Sequence, residues 1–496
     1  MIFILILSLL ISYYLYTWIK FYFSPLYRIP QVPELPFLGH NLYFLGSNVD
    51  TLNLLENWIE RFKDEGVFKF RTFAGMKEYT IVVTNPSDMK YILSRPDSFK
   101  RNDFFPQFLP LVGDGLLVAT GEHHRFQKRV ILKALSQSSM KSYLPVFNKH
   151  TDVLVKLWMN IVKDKPNGTN LAVKEYFNNL SFDIFGEIGF GYEFNSQTTE
   201  INALVKTFKD AAEGVLNLKA RFFLKYFPFI RYLPWGPGRL MQESEKIGRD
   251  LVEKIIQRRR DKINCNSLTE QEKHDLLSRM MTEKDDKTGV GFSEKILRDN
   301  AYTLLIAGHE TTATSLPGFL LYFAKYPDYQ EKARKEIHDN LNGKLNLTVD
   351  DLNLIPFTTA FIMETLRMFT ALPMNARLSK VDYKIGKYEI PKGCNILFPT
   401  WALNKDKESF DDSCEFKPER YFEGSKLKNG TSFTFGYGPY NCVGKNFAIQ
   451  EIKIVLIKLM QNFKFSIDEE NLKTFRKVFL TLKYFPSIKI RVMPLS

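Results

Sequence analysis

The chain has 496 residues, of which 45% are apolar and 25% charged, with 27 Gly and 23 Pro; this mixture excludes a collagen-like or wholly disordered chain, and at roughly 150 residues per domain the length admits about three ordinary domains or one large one. Four cysteines (Cys265, Cys394, Cys414, Cys442) without a C-x-x-C spacing exclude a disulfide scaffold and a structural zinc module. A net charge of +13, from 68 basic and 55 acidic residues, suits an anionic membrane surface, a nucleic acid or an acidic protein.

Residues 1–19 carry no charge, and as a helix rising about 1.5 Å per residue they nearly match a hydrocarbon core of roughly 30 Å. Tyr13, Tyr14, Tyr16 and Trp18 gather at the far end, with Lys20 and Arg28 just beyond. Aromatic rings favour the lipid interface and cations favour the cytoplasmic side, so the segment reads as a single transmembrane anchor with the remainder in the cytosol. A cleaved signal peptide would begin basic and end in small residues, which this segment does not. The sequons at Asn167, Asn179, Asn346 and Asn429 are then chance tripeptides. In residues 20–39, Pro30, Pro33 and Pro36 predict a stiff extended linker that separates anchor from body.

Residues 40–496 show no repeat and no long low-complexity tract, which favours one large, mainly α-helical domain with a small β-rich part. Strand-like runs occur at Val67–Phe70, Thr80–Thr84, Val478–Leu482 and Ile488–Val492. Between them helical periodicity dominates. The longest helix is predicted from an N-cap at Ser293 to about Tyr326, halted by Pro327 and bent at Pro317. Its middle, Tyr302 to Ala307, is nearly all apolar and should cross the interior. An aromatic stretch with interleaved Arg221, Lys225 and Arg231 could hold single-stranded nucleic acid, pack as core, or dip into lipid.

The sharpest motif is Phe435-Gly-Tyr-Gly438-Pro-Tyr-Asn-Cys442-Val-Gly444. A lone cysteine ringed by glycines reads as a thiolate ligand whose backbone approaches a large flat group, because glycine has no Cβ and its amide can donate to sulfur. A metal also resolves the ionisation of a thiol that would otherwise be mostly protonated at neutral pH. The other three cysteines read as structural.

With this motif, Ala307-Gly-His-Glu-Thr-Thr312 in the long helix and Glu364-Thr-Leu-Arg367 before Pro418-Glu-Arg-Tyr421, the chain resembles the cytochrome P-450 superfamily of haem-thiolate monooxygenases through essentially its whole body. The resemblance implies haem b held by Cys442 within the loop of Phe435, Gly438 and Gly444. It implies Glu310 and Thr311 as a proton relay, with Gly308 making room for dioxygen. It makes Glu364, Arg367 and Arg420 a structural ion cluster, and gives the haem propionates to Arg377, His124 and Lys128. One position departs from the family: Tyr440 stands where Arg or His is usual, so either haem retention is weaker or another cation compensates, with Arg125 and Arg129 as candidates.

The expected function is oxidation of a lipophilic substrate (lipid, sterol, fatty acid or xenobiotic) by a single-pass protein of the endoplasmic reticulum. NADPH-cytochrome P-450 reductase would supply electrons, with cytochrome b5 as an optional second donor. Lys128, Arg129, Lys133, Lys445 and Lys453 would dock that acidic partner. The apolar run Phe104, Phe105, Phe108, Leu109, Leu111 and Val112 would face substrate, and nucleic acid is not needed. Alternatives are a haem-thiolate isomerase or dehydratase of lipid peroxides, which Glu310 and Thr311 argue against, and a non-catalytic haem-binding protein. A thiol hydrolase would need a histidine near Cys442 in sequence, and none is there.

Overall fold

The computed structural model describes residues 2–34, 39–40, 43, 50–71, 79–101, 112–199, 229, 232–233, 236–285, 288–422, 432–478 and 481–495. Helix α1 (Ile2–Tyr22) has 21 residues and carries Lys20 in its last turn, a cation suited to the negative end of the helix dipole. Among the described residues no helix is long and apolar enough to cross a membrane. Since the side chains of positions 2–4, 6–7, 9–10, 14 and 17 lie outside them, the expected anchor is seen only as a helix of the expected place and length.

The proline-rich stretch behind α1 is not a free spacer. After a 3-10 turn (Pro25–Arg28) the chain is extended, but Ile29 and Val32 are buried. Lys69 N donates to Pro30 O at 2.8 Å and Val32 N to Lys69 O at 3.3 Å, so the stretch covers the outer edge of strand β1 (Val67–Arg71). Proline lacks a donor but keeps its carbonyl, and a bare strand edge offers partners that the chain would otherwise leave to water. Lys69 is itself buried, its ammonium on Ile29 O and 5.1 Å from the Phe21 ring centroid, while Phe21 stacks on Tyr79 at 4.6 Å.

The remaining strands are β2 (Tyr79–Val83), β3 (Phe99–Arg101), β4 (Thr169–Ala172), β5 (Met374–Ser379), β6 (Tyr383–Ile385), β7 (Tyr388–Ile390), β8 (Asn395–Pro399), β9 (Phe463–Ser466), β10 (Phe475–Val478), β11 (Leu482–Phe485) and β12 (Lys489–Pro494). The largest sheet has five strands in the order β1-β2-β8-β5-β3, parallel only between β2 and β8. The run Val478–Leu482 is not one strand: Val478 closes β10 and pairs with Leu482, which opens β11, so the apolar run folds over a hairpin.

The body is built on long helices: α2 (Gly121–Ala134), α3 (Gln137–Val162), α4 (Val173–Phe190), α5 (Gly236–Asn264), α6 (Glu294–Lys325), α7 (Pro356–Met368) and α8 (Lys445–Asn462). The longest, α6, begins where Ser293 accepts Ile296 N at 3.3 Å and contains Pro317. Tyr302 to Ile306 are buried as expected, whereas Ala307 is exposed. One continuous hydrophobic core joins α3, α4, α6, α7 and α8 and contains Phe147, Phe182, Phe185, Phe319, Phe361 and Phe447. Of the aromatic-basic stretch, Phe229 and Tyr232 are described and strongly exposed; Arg221, Lys225 and Arg231 lie outside the described residues, as do Phe104, Phe105, Phe108, Leu109 and Leu111.

Candidate active site

Cys442 sits between a 3-10 turn (Gly438–Tyr440) and the start of α8, its N donating to Phe435 O at 2.8 Å. The thiol is accessible to water yet deep in the fold. That depth raises its pKa, against the lowering influence of the Gly444 amide, Lys128 and Lys445. Gly444 caps α8 with its Cα hydrogens facing sulfur, where a Cβ would lie 3.9 Å from Sγ. Gly438 has a φ of +73° and a Cβ there would meet Leu93 O at 2.4 Å, so the glycine seats the loop against the end of a neighbouring helix. The Phe435 ring lies 5.9 Å below the Lys445 ammonium and packs on the main core.

Next to this loop, β3 and β5 pair so that Arg101 stands opposite Arg377. Both guanidiniums cover Tyr440, at 4.4 and 5.5 Å from the ring centroid, and the buried His124 meets the same ring edge-on at 4.4 Å. Burial, then Arg377, lowers the Arg101 pKa to about 9, and burial lowers that of Arg377 to about 10. His124 is pushed down to about 3 by burial and by Arg101, Lys128 and Arg125. Arg377 Nη1 donates to Asn375 Oδ1 and Ala376 O, but its buried Nε has no partner. No carboxylate among the described residues pairs with either arginine. Like charges placed opposite each other destabilise a sheet, so this nest suits a ligand with anionic arms, and with the nearby thiol it fits haem b. Lys128 is occupied otherwise: its ammonium bonds Pro439 O at 2.7 Å and Asn441 O at 3.3 Å, bracing the cysteine loop.

On α6, Thr311 Oγ1 donates back to Ala307 O at 3.1 Å from the accessible side of the helix. Glu310 turns to another flank, where Oε1 accepts Thr481 Oγ1 at 2.9 Å and lies 3.9 Å from Lys174 Nζ. Consecutive helical residues point about 100° apart, and no hydrogen bond joins the two. Gly308 allows close packing between helices: a Cβ there would fall 2.2 Å from the Phe185 ring of α4.

Glu364 and Arg367, one turn apart on α7, have fully buried side chains joined at 2.7 and 2.8 Å, and Arg420 Nε reaches Glu364 Oε1 at 3.0 Å. Arg367 also donates to Asn404 O at 2.8 Å, to Ser413 O at 2.6 Å and to Glu415 O at 2.9 Å, which ties the helix to the chain approaching the cysteine loop.

Sequence reasoning missed Arg101, a single arginine in a three-residue strand whose importance depends on pairing with Arg377. The suggested substitutes are engaged elsewhere, Arg125 with Glu122 and Arg129 with Asp285. The expected docking cations are also partly neutralised, Lys133 by Glu283 at 2.7 Å, while Lys453 donates to Leu352 O. Thr481 was missed as well, because it sits in the hairpin first read as a strand.

A family model described as Cytochrome P450 matches residues 30–489. The chain is similar to a human ultra-long-chain fatty acid omega-hydroxylase, 26% identical and covering 84% of this chain and 79% of that protein. It is similar to an Arabidopsis thaliana cytokinin hydroxylase, 30% identical over 77% and 73% respectively. A solved cytochrome P450DA heme domain superimposes with a TM-score of 0.80 at 25% identity, covering 94% of this chain and 98% of that one.

Proposed function

This chain belongs to the cytochrome P450 family of haem-dependent monooxygenases, and from that premise we propose that it oxidises a lipophilic substrate at a membrane, held there by α1. The single observation that carries the site assignment is the accessible Cys442 thiol beside the opposed Arg101 and Arg377, which have no carboxylate partner among the described residues.

Each residue then has a task. Cys442 would hold the iron through sulfur, with the Gly444 amide moderating the charge on that sulfur. Arg101, Arg377 and the neutral His124 would receive the propionates. Haem iron bound through a thiolate supplies dioxygen binding and O–O cleavage. Thr311 would pass protons inward once its hydroxyl leaves Ala307 O, and Glu310 would be the acid that resupplies it. In balance, dioxygen, two electrons and two protons convert a C–H bond to C–OH and release one water.

A lipophilic substrate is supported by the fatty acid named for the human relative and by the exposed Phe229 and Tyr232, which suit a lipid surface. Electrons would come from NADPH-cytochrome P-450 reductase at the endoplasmic reticulum, docking on the open groove where Lys128, Arg129 and Lys133 stand beside Leu132 and Pro439.

The test is the absorbance of the reduced protein under carbon monoxide. A strongly red-shifted Soret band that Cys442→Ala abolishes is expected; a protein that binds no haem overturns the reading. Turnover should require NADPH and the reductase, and Thr311→Ala should consume electrons without matching product, whereas normal coupling in that variant would remove Thr311 from the relay.

A further inference from the structure

Glu310 is the acid of the proposed relay, yet in this structure it is held away from Thr311 by residues from two other elements. Thr481, completely buried at the mouth of the β10–β11 hairpin, donates to Oε1 at 2.9 Å, and Thr314, one turn along α6, approaches the same oxygen at 3.5 Å. Lys174, from the first turn of α4, stands 3.9 Å away. Burial alone would raise the carboxyl's pKa, but Lys174, Lys483 of β11, His309 of α6 and the Thr481 hydroxyl together hold it below the usual range. Such a carboxylate is held ionised in a fixed pose, and losing any of these partners makes it easier to protonate. To serve Thr311 it must release the Thr481 hydroxyl and turn around α6.

We infer that Thr481 is a positioning residue for oxygen activation: by hydrogen-bonding Glu310 Oε1 it fixes the resting pose of the relay's acid, so the carboxy-terminal hairpin governs how well electron use is coupled to oxygenation. The inference rests on the relay reading above and extends it to a residue about 170 positions away in sequence. The step it governs is a proton transfer only: Glu310 carboxylate takes a proton from solvent hydronium, leaving water, becomes the neutral acid, and is restored to carboxylate when it gives that proton to the Thr311 hydroxyl, which hands its own inward.

The experiment uses the full-length haem protein reconstituted with NADPH-cytochrome P-450 reductase and compares Thr481→Val, Thr481→Ser, Lys174→Met and Glu310→Gln with the parent. Thr481→Val should keep the parent's carbon monoxide spectrum. Because Glu310 no longer has to leave Thr481 to reach Thr311, the variant should raise product formed per NADPH severalfold, and it should move the pH dependence of that ratio upward, because a carboxylate that loses a donor is easier to protonate. Thr481→Ser should restore both. Away from turnover, a denaturant double-mutant cycle between Thr481→Val and Glu310→Gln should be non-additive, as expected for partners in contact. If Thr481→Val fails to bind haem, Lys174→Met and the serine variant carry the same pH-profile comparison. Impaired Glu310→Gln beside a Thr481→Val that matches the parent, with an additive cycle, overturns the positioning role and leaves the relay standing. A Glu310→Gln enzyme that couples normally overturns the relay itself.

Discussion

Arg101 and Arg377 stand directly opposite each other across the β3–β5 pair, both guanidiniums lying over the ring of Tyr440. The aromatic face eases the repulsion through cation–π attraction, and an anionic ligand arm would neutralise it.

Replacing Arg101 with Met should therefore weaken haem retention more than replacing Arg125 or Arg129. A charge-assisted hydrogen bond contributes about 1.5–3 kcal/mol, or about tenfold and more in retention. Haem transfer to an apoglobin acceptor measures this directly. Equal release rates for the three variants would show that Arg101 does not touch the group.

The Glu364 cluster should behave as a buried ion network. Glu364→Ala leaves Arg367, fully buried, without its only carboxylate partner among the described residues, at a cost of about 3–5 kcal/mol. Urea unfolding should show the loss, and Glu364→Gln, which keeps acceptor oxygen and shape, should lose less. A shift below 1 kcal/mol would mean the backbone carbonyls around Arg367 suffice by themselves.

Gly308→Ala has two opposed effects. Helix propensity favours alanine by about 1 kcal/mol, while the new methyl meets Phe185 at 2.2 Å, and overpacking costs about 1–3 kcal/mol. Net destabilisation is expected, and Phe185→Leu should rescue it non-additively. A Gly308→Ala protein more stable than the parent would show that Phe185 moves aside freely.

Glu451 on α8 is wholly buried, with Ser181 Oγ on Oε1 at 2.6 Å and no partner for Oε2 among the described residues. Burial pushes its pKa from 4.5 up to about 8. The folded protein thus keeps a proton that the unfolded chain releases above 4.5, so this contribution to stability is full below that value and declines as pH rises towards 8. The decline is on the order of 4 kcal/mol. Glu451→Gln, always neutral, should match the parent near pH 5 and exceed it near pH 8 in denaturant unfolding. Parallel curves for the two proteins would rule this out.

Local signals were legible where chemistry and position coincide in sequence. Cys442 with its glycines, the Ser293 cap and the Glu364–Arg367 spacing all act within a turn or two, and the structure displays each as a local feature. What stayed hidden depends on tertiary pairing. Arg101 gains its partner from a strand some 270 residues later, Thr481 reaches Glu310 across the core, and Gly308 owes its identity to a ring on another helix. Tyr440 shows the same limit: read alone it looks like a lost cation, whereas between Arg101 and Arg377 a third guanidinium would add repulsion and the phenol removes it.

The edge contact of residues 29–32 with β1 bears on how the protein can be shortened. A version starting at Pro30 would retain all of the matched family region yet remove Phe21 from Tyr79 and the Tyr27 and Ile29 carbonyls from the Lys69 ammonium. That leaves a buried cation without acceptors beside an uncovered ring, a cost of several kcal/mol. Solubility sought by trimming the first helix is better obtained by cutting before Phe21, or by pairing the later cut with Lys69→Met.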